Sequence, residues 1–417
     1  MTTTMRHTPI LRTVLSATIL LSVVCGARAQ VTTGTAQTPA ASTMDIYGFT
    51  MTDFGFDLRT NDPNWFDVVR PTKLPAFSQE FGRNGKIFAG VRQTRFGVKA
   101  TETTRLGELK MQFEFDLFGV GVDAGQTTIR PRYFYGEIGA FGAGQTNSPF
   151  MDIDIFPNIL DYWGPNGMAF FRNVQVRWMP VRGETQLTLA VERPGSTQDQ
   201  GRLENRSEIA GVQARFPWPD FSGEFRYGFY GSYLRAAGIF RKTSLDDLQR
   251  NDQFNLDDSV YGWGVDLSSN VKMGGADVFR LQYVFGEGIE NYMNDAPVDI
   301  AAVPNLGDPT RPIKGTAIPL RSLVAYLDHG WSSKWSTSLG YSQLVMDNTI
   351  LQRPDAFHRG QYASINLLHT PVEHFMYGGE LQWGRRQNFS DGFASNDYRI
   401  QFSFKYNFSA QIAEGVK

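Results

Sequence analysis

The chain has 417 residues, with 40 Lys and Arg against 42 Asp and Glu, a net charge of −2 and a single cysteine. So mild a balance gives no sign of nucleic acid as a partner, and one thiol excludes a disulfide framework or a cysteine-held metal. Beyond the N-terminus no stretch has the eighteen uncharged apolar residues of a membrane helix, but 32 Phe, 16 Tyr and 8 Trp beside 42 Gly leave a membrane barrel open.

Residues 1–29 read as a secretory signal peptide: Arg6 and Arg12 supply the positive region, Val14 to Val24 the apolar core, and Ala27-Arg28-Ala29 a small-x-small cleavage site. Cys25 leaves with it, so the mature chain has no thiol. Residues 30–43, QVTTGTAQTPAAST, are small and polar and read as a flexible N-terminal segment. A first strand is expected over Met44–Asp57, its parity broken near Thr50 as by a bulge, and then a long loop over Leu58–Gly85. Strand two, Ile87–Lys99, turns into GELKMQFEFDLFG, where Leu109, Met111, Phe113, Phe115 and Leu117 alternate with Glu108, Lys110, Gln112, Glu114 and Asp116. Strand four, Ile129–Ile138, is expected to send Tyr133 and Tyr135 outward and leave Arg130 and Arg132 on the other parity. A tight turn leads to a short fifth strand.

Eleven further strands follow, ending in DYRIQFSFKYNF over Asp397–Phe408. There Tyr398, Ile400, Phe402, Phe404, Tyr406 and Phe408 alternate without a slip with Arg399, Gln401, Ser403, Lys405 and Asn407. One greasy and one wet face, with aromatics at both ends, suits a strand crossing a bilayer. A charge is then expected to be harmful at Phe402 or Phe404 and tolerated at Gln401 or Ser403. Short connections (TETTRLG, PVRGE, KMGG, TPV) alternate with long polar ones (Arg193–Asp220, Thr243–Ser259, Glu287–Leu320, Val345–Gly360). An even strand count with loops sorted by length predicts an all-β fold: a transmembrane antiparallel β-barrel of about 16 strands, short periplasmic turns, long external loops and an aqueous lumen. The barrel is expected over 44–408, with 409–417 as a C-terminal periplasmic tail.

Enzyme motifs are absent: there is no GxSxG, HExxH or P-loop, and GVGVDAG lacks the dinucleotide spacing. His329 and His369 fall at strand ends, so no metal, cofactor or catalytic role is assigned. Residues 147–167, NSPFMDIDIFPNILDYWGPNG, are too apolar for an ordinary external loop. Folding this third loop into the lumen would cover Phe150, Ile155, Phe156, Leu160 and Trp163 and narrow the pore. It would also bring Asp152, Asp154 and Asp161 toward a basic wall of Arg95, Lys99, Arg130, Arg132 and Arg172. Spacing alone equally allows these arginines to be separate solvated charges. Arg172 shares parity with Val174, Val176 and Trp178, so it reaches the pore only if the regular strand starts after it.

QTRFGVK from Gln93, YGEIGAFGAGQTNSPFMD from Tyr135, FRNVQVRW from Phe171, FRLQYVFGEGIENYMND from Phe279, WSSKWSTSLGYS from Trp331 and YGGELQWGRRQN from Tyr377 carry a resemblance in their order and spacing. Over most of Met44–Phe408 the chain resembles the porins of Gram-negative outer membranes, and within them the DcaP-like family. The resemblance implies a homotrimeric sixteen-stranded channel for small anionic organic acids such as dicarboxylates. It also implies an arginine ladder, matched by Arg95, Arg132 and Arg172, facing the third loop. Outer-membrane lipid and lipopolysaccharide would surround it. Two features depart from the family: residues 30–43 hold no heptad helix, and Ser409–Lys417 follow the terminal aromatic. The alternative is a receptor or adhesin working through its external loops, with Asp246, Asp247, Asp252, Asp257 and Asp258 as a cation or partner site; a barrel-embedded hydrolase is a third reading.

Overall fold

The structure, a computed structural model, describes residues 42–249 and 253–413. The expected signal peptide, most of the N-terminal segment and the last four residues lie outside them. Sixteen strands close into an antiparallel barrel. They are β1 (Thr43–Asp57), β2 (Lys86–Gly90 continued by Arg95–Thr104), β3 (Gly107–Phe118), β4 (Thr127–Ile138), β5 (Phe141–Asn147), β6 (Arg172–Val181), β7 (Gln186–Glu192) and β8 (Val212–Arg215 continued by Asp220–Phe229). Then follow β9 (Ser232–Asp247), β10 (Asp258–Gly274), β11 (Asp277–Glu287), β12 (Pro319–Gly330), β13 (Trp335–Met346), β14 (Phe357–Val372), β15 (Phe375–Asn388) and β16 (Ala394–Ala413). Each strand pairs with the next, and β16 returns to β1 in unbroken register from Asp57↔Arg399 to Thr43↔Ala413. Closure leaves no unpaired edge, which is what lets strands cross lipid with every backbone group satisfied sideways.

Side-chain parity follows the sequence pattern on β16: Tyr398, Phe402, Phe404, Tyr406 and Phe408 are exposed on the outside, while Arg399, Gln401 and Ser403 are buried within. Turns of two to four residues join β2 to β3, β4 to β5, β6 to β7, β8 to β9, β10 to β11, β12 to β13 and β14 to β15, all at one rim. The opposite rim carries the long connections L1 (residues 58–85), L3 (148–171) and L6 (288–318).

Four expectations are corrected. β1 has no bulge at Thr50, because its register against β16 is continuous, so Phe49 and Met51 both point inward into a cluster with Leu160 and Leu368. β2 is interrupted between Gly90 and Arg95, where the Thr94 hydroxyl takes both backbone groups of Met51 and replaces a stretch of ladder. In β4 the register slips where Phe115 faces Pro131 and Glu114 faces Tyr133. Pro131 has no N–H for the ladder, and the extra residue turns Tyr133 and Tyr135 to the inside, where their hydroxyls meet Asn147 and Glu137. The barrel also extends past Phe408, since Ser409–Ala413 pair with Tyr47–Thr43 and are wall rather than tail.

The lumen is far from uniformly wet. L1, L3 and L6 turn inward against apolar residues on the inner face of β9 to β14, burying Phe150, Ile239, Val284, Ile289, Tyr292 and Leu344 in one cluster. A second cluster joins Val69 of L1 and Ile155 and Met168 of L3 to Val324, Tyr326 and Tyr362. Each such side chain contributes about 1.5–3 kcal/mol when fully buried. Half of the barrel interior is therefore a packed core, and open space is confined to the side of β1, β2, β4 and β16.

Candidate functional site

L3 leaves β5 after Asn147 and returns at Arg172. Along its course it is anchored to both sides of the barrel. Near its start, the Asp152 carboxylate accepts from Tyr233 (2.7 Å) and Ser268 (2.6 Å) on β9 and β10. Asp154 pairs with Arg226 of β8, and its carbonyl accepts from Asn270 and Arg280. Further on, Glu380 of β15 receives the consecutive amides of Leu160 (2.7 Å) and Asp161 (3.1 Å). The Leu160 carbonyl accepts from Gln93 and Gln401. A carboxylate gripping two adjacent backbone N–H groups is a charge-assisted clamp, and Glu380 is the residue that fixes the tip of the loop.

These contacts correct the expected opposition of loop aspartates to basic wall. Asp152 and Asp154 are spent on the β8–β10 side, across the barrel from the arginines. Only Asp161 comes to the basic side; it is buried and accepts from the amides of Val69 and Trp163, both at 3.2 Å. Burial pushes Asp161 up to about 7, with Arg399 pulling it down and Glu380 pushing it further up.

The basic wall divides into neutralised and unneutralised charges. Arg130 forks onto Asp116 (Nε 3.0 Å, Nη2 2.7 Å), and Arg132 bridges Glu114 (2.5 Å) and Asp116 (3.1 Å). These acids sit on β3 beside β4, with Asp116 directly opposite Arg130, so the alternation of β3 together with cross-strand pairing carried the signal. Tyr162 of L3 completes the cluster: its oxygen accepts from Arg130 (2.6 Å) and Arg132 (2.7 Å) and its hydroxyl donates to Asp116.

Three cations have no such neutraliser. Arg95 lies 3.6 Å from Glu114, already held by Arg132, and its buried Nε has no hydrogen-bond partner. Arg172 stacks over Phe170 at 4.7 Å with its buried Nη1 unpartnered, in the field of Arg132 and Arg130. Standing at the first position of β6, it reaches the interior despite its parity with the outward valines. Lys405 of β16, absent from the expected set, lies over Phe49 at 4.1 Å beside Arg95, with no carboxylate among its charged neighbours. Its inward place in the alternation was the available signal. Lys99 is exposed nearer the short-turn rim, 5.0 Å from the Tyr47 ring, and does not join the group.

Between L3 and this wall lies a cavity of about 330 Å³, lined by Arg95, Arg132, Lys405, Phe49, Phe170 and Tyr162 among others. The acidic segment named as an alternative site is used internally: Asp246 pairs with Arg215, Asp247 caps the amides of Gln249 and Leu256, and Asp257 caps that of Asp247. Asp258 accepts from the amide of Gly315, and Asp252 lies outside the described residues. Among the described residues no group of three or more His, Cys, Asp or Glu is placed to hold a metal ion.

A closed sixteen-stranded barrel, lipid-facing outside and narrowed by an inward loop against a charged wall, defines an outer-membrane porin. The model of the DcaP outer membrane protein family matches residues 84–408, and the chain belongs to that family. Among solved structures it is similar to the outer membrane channel DcaP of Acinetobacter baumannii, with TM-score 0.73 and 21% identity over 88% of this chain and 97% of that one. It is also similar to an anion-selective porin from Comamonas acidovorans, with TM-score 0.57 and 11% identity over 88% and 100%. OmpT of Vibrio cholerae aligns with TM-score 0.54 and 11% identity over 89% and 99%. At these identities the likeness is one of fold. No curated protein matches the chain.

Proposed function

We propose that this porin is a passive, selective diffusion channel favouring small anionic organic acids such as dicarboxylates, and that it assembles as a homotrimer embedded in outer-membrane lipid and lipopolysaccharide. The observation that carries the reading is the imbalance at the cavity: Arg95, Arg172 and Lys405 keep their charge, while Asp152 and Asp154 are tied up on the far side. Selectivity depends on the field where the path is narrowest, not on net charge, so a chain of −2 overall still prefers anions. A carboxylate 4 Å from one of these cations gains about 4 kcal/mol at an effective dielectric of 20, before desolvation is subtracted. That is enough to draw the solute in and too little to trap it. The trimer form of Vibrio cholerae OmpT, a porin of the same fold, supports the assembly by analogy.

Folded protein added to a planar bilayer should give discrete current steps with a reversal potential of anionic sign in a potassium chloride gradient. Absence of steps would overturn the channel reading, and a cationic sign would overturn the solute class.

A further inference from the structure

We propose that Tyr162 is a specificity-determining residue of the pore, its hydroxyl filling a seat between Arg130, Arg132 and Asp116 that fits a hydroxyl group of a solute and rejects a carboxylate. The inference rests on the anion-channel reading above and adds to it a particular seat and the solute chemistry it takes.

The seat makes three demands. Its oxygen must accept from Arg130 Nη2 and Arg132 Nη1 and must also donate to Asp116, which lies close against it. An alcohol, a phenol or a water meets all three. A carboxylate meets only the first two and sets its own charge against Asp116, which costs more in a partly desolvated site than in water. The charge tally points the same way, because the two guanidinium groups are already balanced by Glu114 and Asp116. The seat therefore offers oriented hydrogen bonds without net attraction for an anion, whereas Arg95 and Lys405, lining the same cavity, offer charge without an acceptor.

Together they form a two-part site for an anion bearing a hydroxyl, its carboxylate on Arg95 and Lys405 and its hydroxyl in the seat. In the native protein Tyr162 occupies that second place. Its ring is stacked on Phe118 at 4.7 Å and belongs to the aromatic cluster of Trp65, Phe118 and Trp163, and the loop tip is fixed independently by Glu380. Loss of the hydroxyl alone thus leaves L3 in place and the seat empty. The native pore gains nothing from a solute hydroxyl; a pore without the Tyr162 hydroxyl does.

The test is block of ion current through bilayer-inserted trimers by succinate and by malate, dianions that differ by one hydroxyl, in the native protein and in Tyr162→Phe. The native channel should bind the two within about twofold. In Tyr162→Phe malate should tighten about tenfold relative to succinate, the worth of a hydrogen bond to charged partners. A loop merely loosened by the substitution would change both solutes by the same factor, and that result overturns the proposal. So does an unchanged ratio, a native channel that already prefers malate tenfold, or a channel that neither dianion blocks, since the solute path would then miss the seat. Should Tyr162→Phe lose the folded, heat-modifiable band, Tyr162→Leu empties the same seat and is read identically. Failure here with a native reversal potential of anionic sign removes the seat alone; a cationic sign removes the underlying reading.

Discussion

Arg399 of β16 and Asp57 of β1 meet in a buried ion pair across the seam where the barrel closes, Nε 2.5 Å from Oδ1 and Nη2 3.1 Å from Oδ2. Both side chains are almost wholly out of solvent, and Nη2 also holds the Phe66 carbonyl of L1. Arg399→Leu strands Asp57 and the neighbouring Asp397 without a cation, and removing one partner of such a pair costs about 3–5 kcal/mol. The expected outcome is a clearly lower temperature for loss of the folded band on electrophoresis. The double variant Arg399→Gln with Asp57→Asn, which strands no charge, should lose less. A native transition in Arg399→Leu would show that the seam is held elsewhere.

The outward face of β16 gives a second prediction. Phe404 faces lipid, so Phe404→Asp places a charge against hydrocarbon at a cost of about 2–4 kcal/mol near the midplane, and little protein should reach the folded state. Lys405, the next residue, faces the cavity, and Lys405→Gln should fold normally. The expectation that Gln401 or Ser403 tolerates aspartate is revised: both donate to Asp53, Gln401 at 3.1 Å and Ser403 at 2.5 Å. A new carboxylate there would face an existing one. Comparable folded yields for Phe404→Asp and Lys405→Gln would contradict the assigned faces.

L6 gives a pH dependence. Glu290 is fully buried with neither carboxylate oxygen hydrogen-bonded to a partner. Burial, with Asp299 adding to it and Arg241 opposing, pushes it well above the ordinary carboxylate range. The same stretch of L6 braces L3, since Phe170 donates to the Tyr292 carbonyl and Asn294 to that of Met168, both at 2.8 Å. An acid whose folded value is raised supports the folded arrangement fully below its unfolded value and loses that support as pH rises through the raised one. Asp161, at about 7, has the same sign. Open-channel current should therefore become noisier and larger between pH 6 and pH 9 (roughly the span in which these raised groups ionise). Glu290→Gln should remove the more alkaline part of the rise and leave the part due to Asp161. Identical pH profiles for the two proteins would sink this account of L6.

Much of the wall was legible in the sequence because each side chain's face is a local property with a period of two. β3 and β16 kept their parity, and the sorting of short from long connections marked the two rims. Parity misled where one residue disturbed the ladder, as at Pro131, and at Thr50, where an inward-facing Phe49 and Met51 imitated a bulge. The site was less legible because charge partners lie on other elements. Nothing near Asp152 in the sequence reveals Tyr233 or Ser268, and nothing near Arg130 reveals Tyr162. The inward turn of L3 was visible in its apolar content. That L1 and L6 join it was not, because residues such as Val69 and Ile289 sit singly in otherwise polar segments.

The central claim is that unneutralised cations beside L3 set the selectivity, and reversal potential in a salt gradient tests it most directly across three proteins. The native channel should show anionic sign. Arg95→Gln with Lys405→Gln should shift it toward cations by several-fold in permeability ratio, as expected when the charges focusing the field are removed. Arg132→Gln, which removes a charge already balanced by Glu114 and Asp116, should disturb stability more than a filter charge does. A native channel of cationic sign, or a double variant with normal conductance and an unmoved reversal potential, would contradict the account.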